Sequence, residues 1–377
     1  MSRGRARAEI VVDAAAIRSN VRRLKAFTET AMMVVVKADG YGHGLTEAAR
    51  AAREGGADWL GVATIDEALA LRGAGDTGPV LCWLTVPGED YAPAIEQDID
   101  ITVSSLRALD EVLNAVGDRP ARVQIKVDTG LHRNGAPRSL WHDLMHAARD
   151  HERQGRIRVT GIWSHFSSSD EPDDPANDAQ QRAFDEALDL AASAGLDPEV
   201  RHLANSAAAI LRPQSRLDLV RVGIAAYGLD PAPGHTPDLG LVPAMTVRAS
   251  VAMVKGIAAG QAVSYGRTWI ADHDTSLALV PVGYADGLPR SGSNRAHVWA
   301  GGSRRPVRGT ICMDQFVIDL EGAEVAAGDD VVVFGSGRAG EPTAQDWAEA
   351  CGTISYEIVT RIGGRLIRRY VDSEETR

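Results

Sequence analysis

Met32-Met33-Val34-Val35-Val36-Lys37-Ala38-Asp39-Gly40-Tyr41-Gly42-His43-Gly44 opens on five apolar residues, closes on three glycines at alternate positions, and carries one lysine at the join. An unbroken apolar run of this length marks a strand buried on both faces, as in a parallel sheet covered by helices. Upstream, Asp13 is placed to cap a helix whose Ile17, Val21, Leu24 and Phe27 share one face. Downstream, a helix-like stretch over 46–54 stops at Gly55-Gly56. The same rhythm then recurs. Strand-like runs follow at 59–63, 80–84, 99–103, 123–127, 159–163, 200–203 and 217–222. Helical stretches pass through Glu67, Leu69 and Leu71, through Leu106, Leu109 and Leu113, and over 180–194 to Gly195. Eight successive units imply an α/β chain whose first part is a parallel (β/α)8 barrel, with an open doubly wound sheet as the alternative. The barrel is preferred because chemically capable side chains follow several different strands, and a barrel gathers such residues at one mouth.

The rhythm breaks at Asp230-Pro231-Ala232-Pro233-Gly234. Beyond it Val247, Ala249 and Val251 alternate with other residues, turns recur at Gly256, Gly260, Gly283 and Gly328, and 331–334 is a short apolar run. This pattern predicts a separate, mainly β domain interrupted by one helix near 344–349. The division falls into a barrel over 1–238 and a β domain over 239–377.

A hydrophobic fraction of 44% and a charged fraction of 24% over 377 residues are ordinary for a globular enzyme with more than one core. A net charge of −11 argues against nucleic acid, whose phosphates demand clustered Lys and Arg. Cys82, Cys312 and Cys351 are widely separated and form no CxxC, so neither a disulfide framework nor a metal site is expected, and a reducing cytoplasm is the natural setting. Met1-Ser2-Arg3-Gly4-Arg5-Ala6-Arg7 is basic, but no apolar run of signal-peptide length follows, and the run at 32–36 is far too short to span a bilayer.

Lys37 is the most informative residue. A lysine at the end of a buried strand is costly to desolvate, so its pKa should fall. A neutral amine can condense with an aldehyde cofactor. Gly40, Gly42 and Gly44 permit a tight backbone path near a ligand, and the Tyr41 hydroxyl can reach a phosphate. Taken singly, Lys37 also reads as a strand-end side chain snorkelling to water.

The whole string 35–44 resembles the pyridoxal-phosphate attachment motif of alanine racemases, and the similarity runs through almost the whole chain, in both halves. The resemblance implies a pyridoxal-phosphate-binding barrel, a β domain, and a homodimer in which each active site borrows residues from the partner's β domain. Lys37 would hold the cofactor and act as one base. Tyr265, in Ser264-Tyr265-Gly266-Arg267, would act as the second base from the partner subunit. In Lys126-Val127-Asp128-Thr129-Gly130-Leu131-His132-Arg133, Arg133 matches the arginine near the substrate carboxylate, although many relatives carry Met and Gly at Leu131 and His132. Lys126 matches a lysine that is carbamylated in several relatives. His165, in Ser164-His165-Phe166, matches the histidine packed on the cofactor ring.

His202-Leu203-Ala204-Asn205-Ser206 and Arg221-Val222-Gly223-Ile224 follow the last two barrel strands, where barrels often bind phosphate. The resemblance places Asn205, Ser206, Gly223 and Ile224 around the cofactor, with Tyr41 and a partner-supplied Tyr356 at the phosphate. Ser206 also reads as the cap of the next helix. Arg221 matches the arginine bonded to the pyridine nitrogen. Tyr284, in Pro281-Val282-Gly283-Tyr284, would narrow the entrance, and the Met313 N–H, in Cys312-Met313-Asp314, would meet the substrate carboxylate. The implied activity is interconversion of L- and D-alanine, supplying D-alanine for peptidoglycan. Neighbouring readings are a racemase that also takes serine-sized substrates, a barrel-fold amino-acid decarboxylase, a non-catalytic cofactor carrier, and a resistance protein that sequesters a cyclic alanine mimic. The Tyr265 motif speaks against the decarboxylase, and the second domain against the carrier.

Overall fold

The computed structural model describes residues 6–373, so the basic opening Met1 to Arg5 lies outside the described residues. Nine strands come first: β1 (Ala8–Asp13), β2 (Ala31–Val35), β3 (Trp59–Val62), β4 (Val80–Cys82), β5 (Asp100–Val103), β6 (Ala121–Lys126), β7 (Ile157–Trp163), β8 (Val200–His202) and β9 (Leu219–Val222). Strands β2 to β9 form one parallel sheet in the order β8-β7-β6-β5-β4-β3-β2-β9. The seam between its two end strands is bridged by Asp218 N–H to Arg201 O (3.2 Å) and Arg221 N–H to Ala204 O (3.0 Å). The sheet is therefore a nearly closed eight-stranded barrel, and each strand-like run expected from the sequence supplies one stave.

The double burial of the staves has a simple origin. In β2, Met32 and Val34 join the large cluster under the surrounding helices, whereas Met33 joins Trp59, Leu81, Trp163, Val200 and Leu219 in a second cluster inside the barrel. Successive side chains point to opposite faces, so a strand covered on both sides is apolar at most positions. Asp13 caps the helix Ala14–Thr28 as expected, accepting from the N–H groups of Ala15 (3.0 Å) and Ala16 (3.4 Å).

The second domain is built on a nine-stranded sheet among the described residues. From one edge it runs Met253–Ile257, Thr275–Val280, Phe316–Asp319, Ser303–Arg308, His297–Ala300, Asp330–Phe334, Met245–Ser250, β1 and Ile367–Val371. Strand β1 thus leaves the barrel residues and pairs with the distant domain, antiparallel to Met245–Ser250 and parallel to Ile367–Val371. Beside this sheet lies a two-stranded ribbon, Ala262–Val263 with Trp269–Ile270, whose connection carries Ser264 to Thr268. The expected helix is present as Ala344–Cys351, and a second, Ser355–Arg361, follows it. This second helix is only seven residues long and has no side-chain N-cap bond, so it leaves little periodic trace in the sequence. No helix among the described residues is long and apolar enough to cross a membrane.

Candidate active site

Strand β2 does not end on Lys37. It stops at Val35, and Lys37 begins a tight turn in which Ala38 (φ 53°), Asp39 (φ 54°), Gly40 (φ 62°) and Tyr41 (φ 54°) are all left-handed. Each non-glycine residue held this way costs of order 1–2 kcal/mol, so the turn persists only because its surroundings impose it. Gly40 N–H bonds Val36 O (2.8 Å) and Gly42 N–H bonds Ala38 O (3.1 Å). The Glu67 carboxylate accepts from Ala38 N–H (2.7 Å) and from Ala63 N–H (2.8 Å), tying the turn to the loop after β3. Asp39 accepts from Leu45 N–H (2.8 Å) and pairs with Arg368 of the second domain (2.7 Å). Buried His43 donates from Nδ1 to the Gly40 (3.0 Å) and Tyr41 (2.9 Å) carbonyls.

The turn delivers Lys37 to a basic mouth. Burial lowers the Lys37 pKa, Arg133 lowers it further, and Glu67 opposes both. Its amine lies 5.8 Å from the Trp83 ring centre. On β6, Lys126 is buried with its amine 4.2 Å from the Trp163 ring centre and bonded to Asn134 Oδ1. Burial, then Arg221 and Arg133, bring Lys126 down to about 7. Arg221 lies 4.8 Å over the same Trp163 ring. The two tryptophans form an aromatic floor that attracts cations through their π faces. Neither was singled out from the sequence, where each reads as strand packing.

Arg221 is held from several sides. It donates from Nη1 to His202 Nδ1 (3.0 Å), and from Nη2 to Ser164 O (2.8 Å), Leu203 O (3.1 Å) and His165 Nδ1 (3.1 Å). Burial brings this guanidinium down to about 9, which still leaves it charged at neutral pH. His165 is pushed well below the usual histidine range by burial and then by Arg221, so it is neutral and accepts through Nδ1.

Tyr41, Ser206, Gly223 and Ile224 form a second group at the same mouth. Gly223 N–H donates to Ser206 Oγ (2.8 Å). A Cβ on Gly223 would lie 2.4 Å from the Tyr41 hydroxyl, so only glycine lets the backbone come this close. The helix Ser206–Leu211 is capped by Asn205 and not by Ser206: Asn205 Oδ1 accepts from Ala208 N–H (3.0 Å) and Ser169 Oγ (2.8 Å).

The expectation for Tyr356 needs correcting. The chain's own Tyr356 stands beside its own Tyr41, with ring centres 6.2 Å apart. The reason is the unanticipated helix Ser355–Arg361, which packs on the turn that carries Lys37.

Tyr265, Tyr284 and Met313 form a separate cluster on the second domain. Their loops are stitched together by Ser264 Oγ to Thr310 O (2.6 Å), Thr310 Oγ1 to Tyr265 O (2.7 Å), Tyr284 N–H to Cys312 O (3.1 Å) and Ala285 N–H to Met313 O (3.0 Å). All three side chains are open to solvent in the single chain, at 74%, 43% and 52% exposure for Tyr265, Tyr284 and Met313. Among the described residues no hydrogen bond or ring contact joins this cluster to Lys37 or Arg221.

The chain resembles known proteins along nearly its full length. The model of the alanine racemase N-terminal domain matches residues 12–231, and that of the alanine racemase C-terminal domain matches residues 244–370. The alanine racemase of Salinispora arenicola is 51% identical over 369 residues, 97% of this chain and 99% of that one. That of Mycobacterium leprae is 52% identical over 372 residues, 97% of this chain and 96% of that one. The crystal structure of alanine racemase from the D-cycloserine-producing Streptomyces lavendulae has a TM-score of 0.96 at 50% identity and covers 99% of both chains. By sequence, by barrel and β domain, and by these matches, the chain belongs to the alanine racemase family and is an amino-acid racemase.

Proposed function

We propose that this racemase interconverts L- and D-alanine with pyridoxal phosphate, using Lys37 of one protomer and Tyr265 of the partner subunit as opposed bases. The observation that carries the reading is the mouth itself: a partly desolvated lysine among Lys126, Arg133 and Arg221, beside a Tyr41–Gly223 cradle that admits no Cβ. That cradle fits the cofactor's phosphate, with hydroxyls from Tyr41, Ser206 and Tyr356 and the Ile224 N–H as donors, and the Gly223 N–H, which bonds Ser206 Oγ, free to turn to the phosphate in its place. Burial and Arg133 lower the Lys37 pKa, which favours the free amine that covalent attachment of the cofactor's aldehyde needs. When bound, pyridoxal phosphate supplies an electron-withdrawing ring that acidifies the α-hydrogen of an attached amino acid.

The remaining work belongs to the protein. Arg133, with the Met313 N–H of the partner subunit, binds the substrate carboxylate, which fits the arginine fork. Lys37 moves the α-proton on one face and Tyr265 on the other. A phenol is a weak base at neutral pH, and the cationic Arg221 acting through neutral His165 is suited to lower that barrier. Arg221 would also disfavour a proton on a pyridine nitrogen held beside it, because like charges repel, and this would limit side reactions. Lys126, near neutrality, is suited to carry a carbamate that braces Arg133. The exposed Tyr265, Tyr284 and Met313 are the residues a homodimer would bury against a second mouth. The product would serve peptidoglycan synthesis in the cytoplasm, and Tyr284 would set how much larger than alanine a substrate can be.

Co-expression of two disabled chains tests the shared site. Lys37→Ala and Tyr265→Phe homodimers should each be nearly inactive on L-alanine. Their purified heterodimer holds one intact Lys37–Tyr265 pair and should regain about half the wild-type rate, since one of two equivalent sites is whole. A heterodimer as inert as its parents would refute the arrangement. Running L-serine and a bulkier amino acid in parallel sets the substrate breadth.

A further inference from the structure

Inside the barrel a hydrogen-bonded chain runs from the end opposite Lys37 up to Arg221. It starts at Asp100, the fully buried first residue of β5. Asp100 Oδ1 accepts from Arg122 Nε (2.5 Å), and Oδ2 accepts from Thr160 Oγ1 (2.6 Å) and Gln124 Nε2 (3.0 Å). Gln124 Oε1 lies 2.8 Å from His202 Nε2, and His202 Nδ1 lies 3.0 Å from Arg221 Nη1. Two local features build this path. The register of β6 on β7 shifts after Val123, which leaves Thr160 as the extra residue of a bulge and aims its hydroxyl at Asp100. Gly161 makes room for Gln124, whose Cδ lies 2.7 Å from where a Cβ would stand.

The direction of every link follows from its ends. Burial raises the Asp100 pKa, but the charge of Arg122 and the donors Thr160, Arg122 and Gln124 oppose that and favour the carboxylate, and a carboxylate only accepts while a guanidinium only donates. Asp100 therefore commits the Gln124 amide nitrogen, which leaves the Gln124 carbonyl oxygen facing His202. His202 must carry its proton on Nε2, so Nδ1 is left as a lone pair. That lone pair is what Arg221 needs. Burial and the charges of Arg221 and Lys126 hold His202 well below the usual histidine range, so it stays neutral and the tautomer is meaningful.

We propose that Asp100 is a remote positioning residue of the active site, whose carboxylate sets the donor–acceptor polarity of the Gln124–His202 chain and so orients Arg221. The proposal rests on the reading that Arg221 serves the cofactor. In Asp100→Asn, Arg122 remains a donor, so the introduced carbonyl must face it and the introduced amide nitrogen must face Gln124. The Gln124 amide then turns over, the His202 proton moves to Nδ1, and two donors confront each other at Arg221. Asp100→Asn combined with Gln124→Glu places a carboxylate one link further along. That carboxylate accepts from both neighbours and restores the original polarity.

Nitrogen NMR of histidine-labelled full-length holoenzyme reads the tautomer directly, and alanine turnover is measured on the same samples. The wild type should show the Nε2–H tautomer at His202. Asp100→Asn should invert it and lower kcat by about tenfold or more with KM within about twofold, the scale of one misdirected hydrogen bond to a charged group. The double variant should recover both. A wild-type Nδ1–H tautomer overturns the proposal without any variant having to fold. So does a double variant no better than Asp100→Asn, or an inverted tautomer with unchanged kcat. A wild-type holoenzyme inert on alanine would instead refute the functional reading, and the tautomer measurements would still decide the polarity of the chain.

Discussion

Replacing Gly223 by alanine is the sharpest test of the cofactor cradle. The added Cβ would sit 2.4 Å from the Tyr41 hydroxyl oxygen and 3.0 Å from its Cζ, against ordinary contact from 3.4 Å outward. The hydroxyl would have to retreat by roughly 1 Å, and it has nowhere to go. Tyr41 is buried, with its ring stacked 5.1 Å from that of Tyr227, whose own hydroxyl is anchored to Val35 O at 3.0 Å. Forcing a methyl into such a site costs roughly 1–3 kcal/mol. If that strain falls on the holo geometry, pyridoxal phosphate should bind about 5- to 150-fold more weakly. Titrating apo-protein with pyridoxal phosphate under fluorescence gives the dissociation constant, and thermal melting reports any strain in the apo fold. Tyr41→Phe removes the colliding atom. Gly223→Ala on that background should therefore add far less than it does alone, with a coupling of about 1 kcal/mol or more. Unchanged cofactor affinity and melting temperature in Gly223→Ala, or strictly additive losses with Tyr41→Phe, would refute the close approach as the basis of the cradle.

Three further outcomes follow from the site. In buffer purged of carbon dioxide, where Lys126 is a free amine, its folded pKa is about 7, below the 10.5 of a free lysine, so it destabilises the fold while protonated and this penalty lifts as pH rises from about 7 towards 10.5. Lys126→Met should abolish that rise in denaturant stability with pH; parallel curves for variant and wild type would contradict it. Glu67→Gln removes the charge that props up the Lys37 amine, so the Lys37 pKa should fall further, and the amine's limb in kcat, which reports groups of the substrate complex where Lys37 is free, should move to lower pH. The same change disturbs bonds to the N–H groups of Ala38, Ala63 and Thr64, at a cost of about 1–3 kcal/mol in chemical denaturation. Tyr265→Phe should slow L-to-D turnover by about 10²–10⁴-fold, the usual worth of a general base, with cofactor affinity nearly unchanged; a wild-type rate would remove Tyr265 from the base role.

The barrel was legible because its information is local. A stave buried on both faces is apolar over most of its length, as at Met32 to Val35, and the helices between staves carry stop signals of their own, as at Gly55. The motif around Lys37 was legible for the same reason, since its residues are neighbours in sequence. What tertiary structure alone decided is pairing at a distance. Strand β1 reads as a mere lead-in to a helix, yet it joins partners more than two hundred residues away. Tyr356 comes to its own Tyr41 because a seven-residue helix docks there, and so short a helix owes its stability to packing that no local pattern records. The depressed Lys126, the tryptophan floor and the chain from Asp100 to Arg221 likewise exist only once the strands close. Residue type sets what a side chain can donate or accept, but burial, and the company it keeps across a closed sheet, sets its charge and its direction.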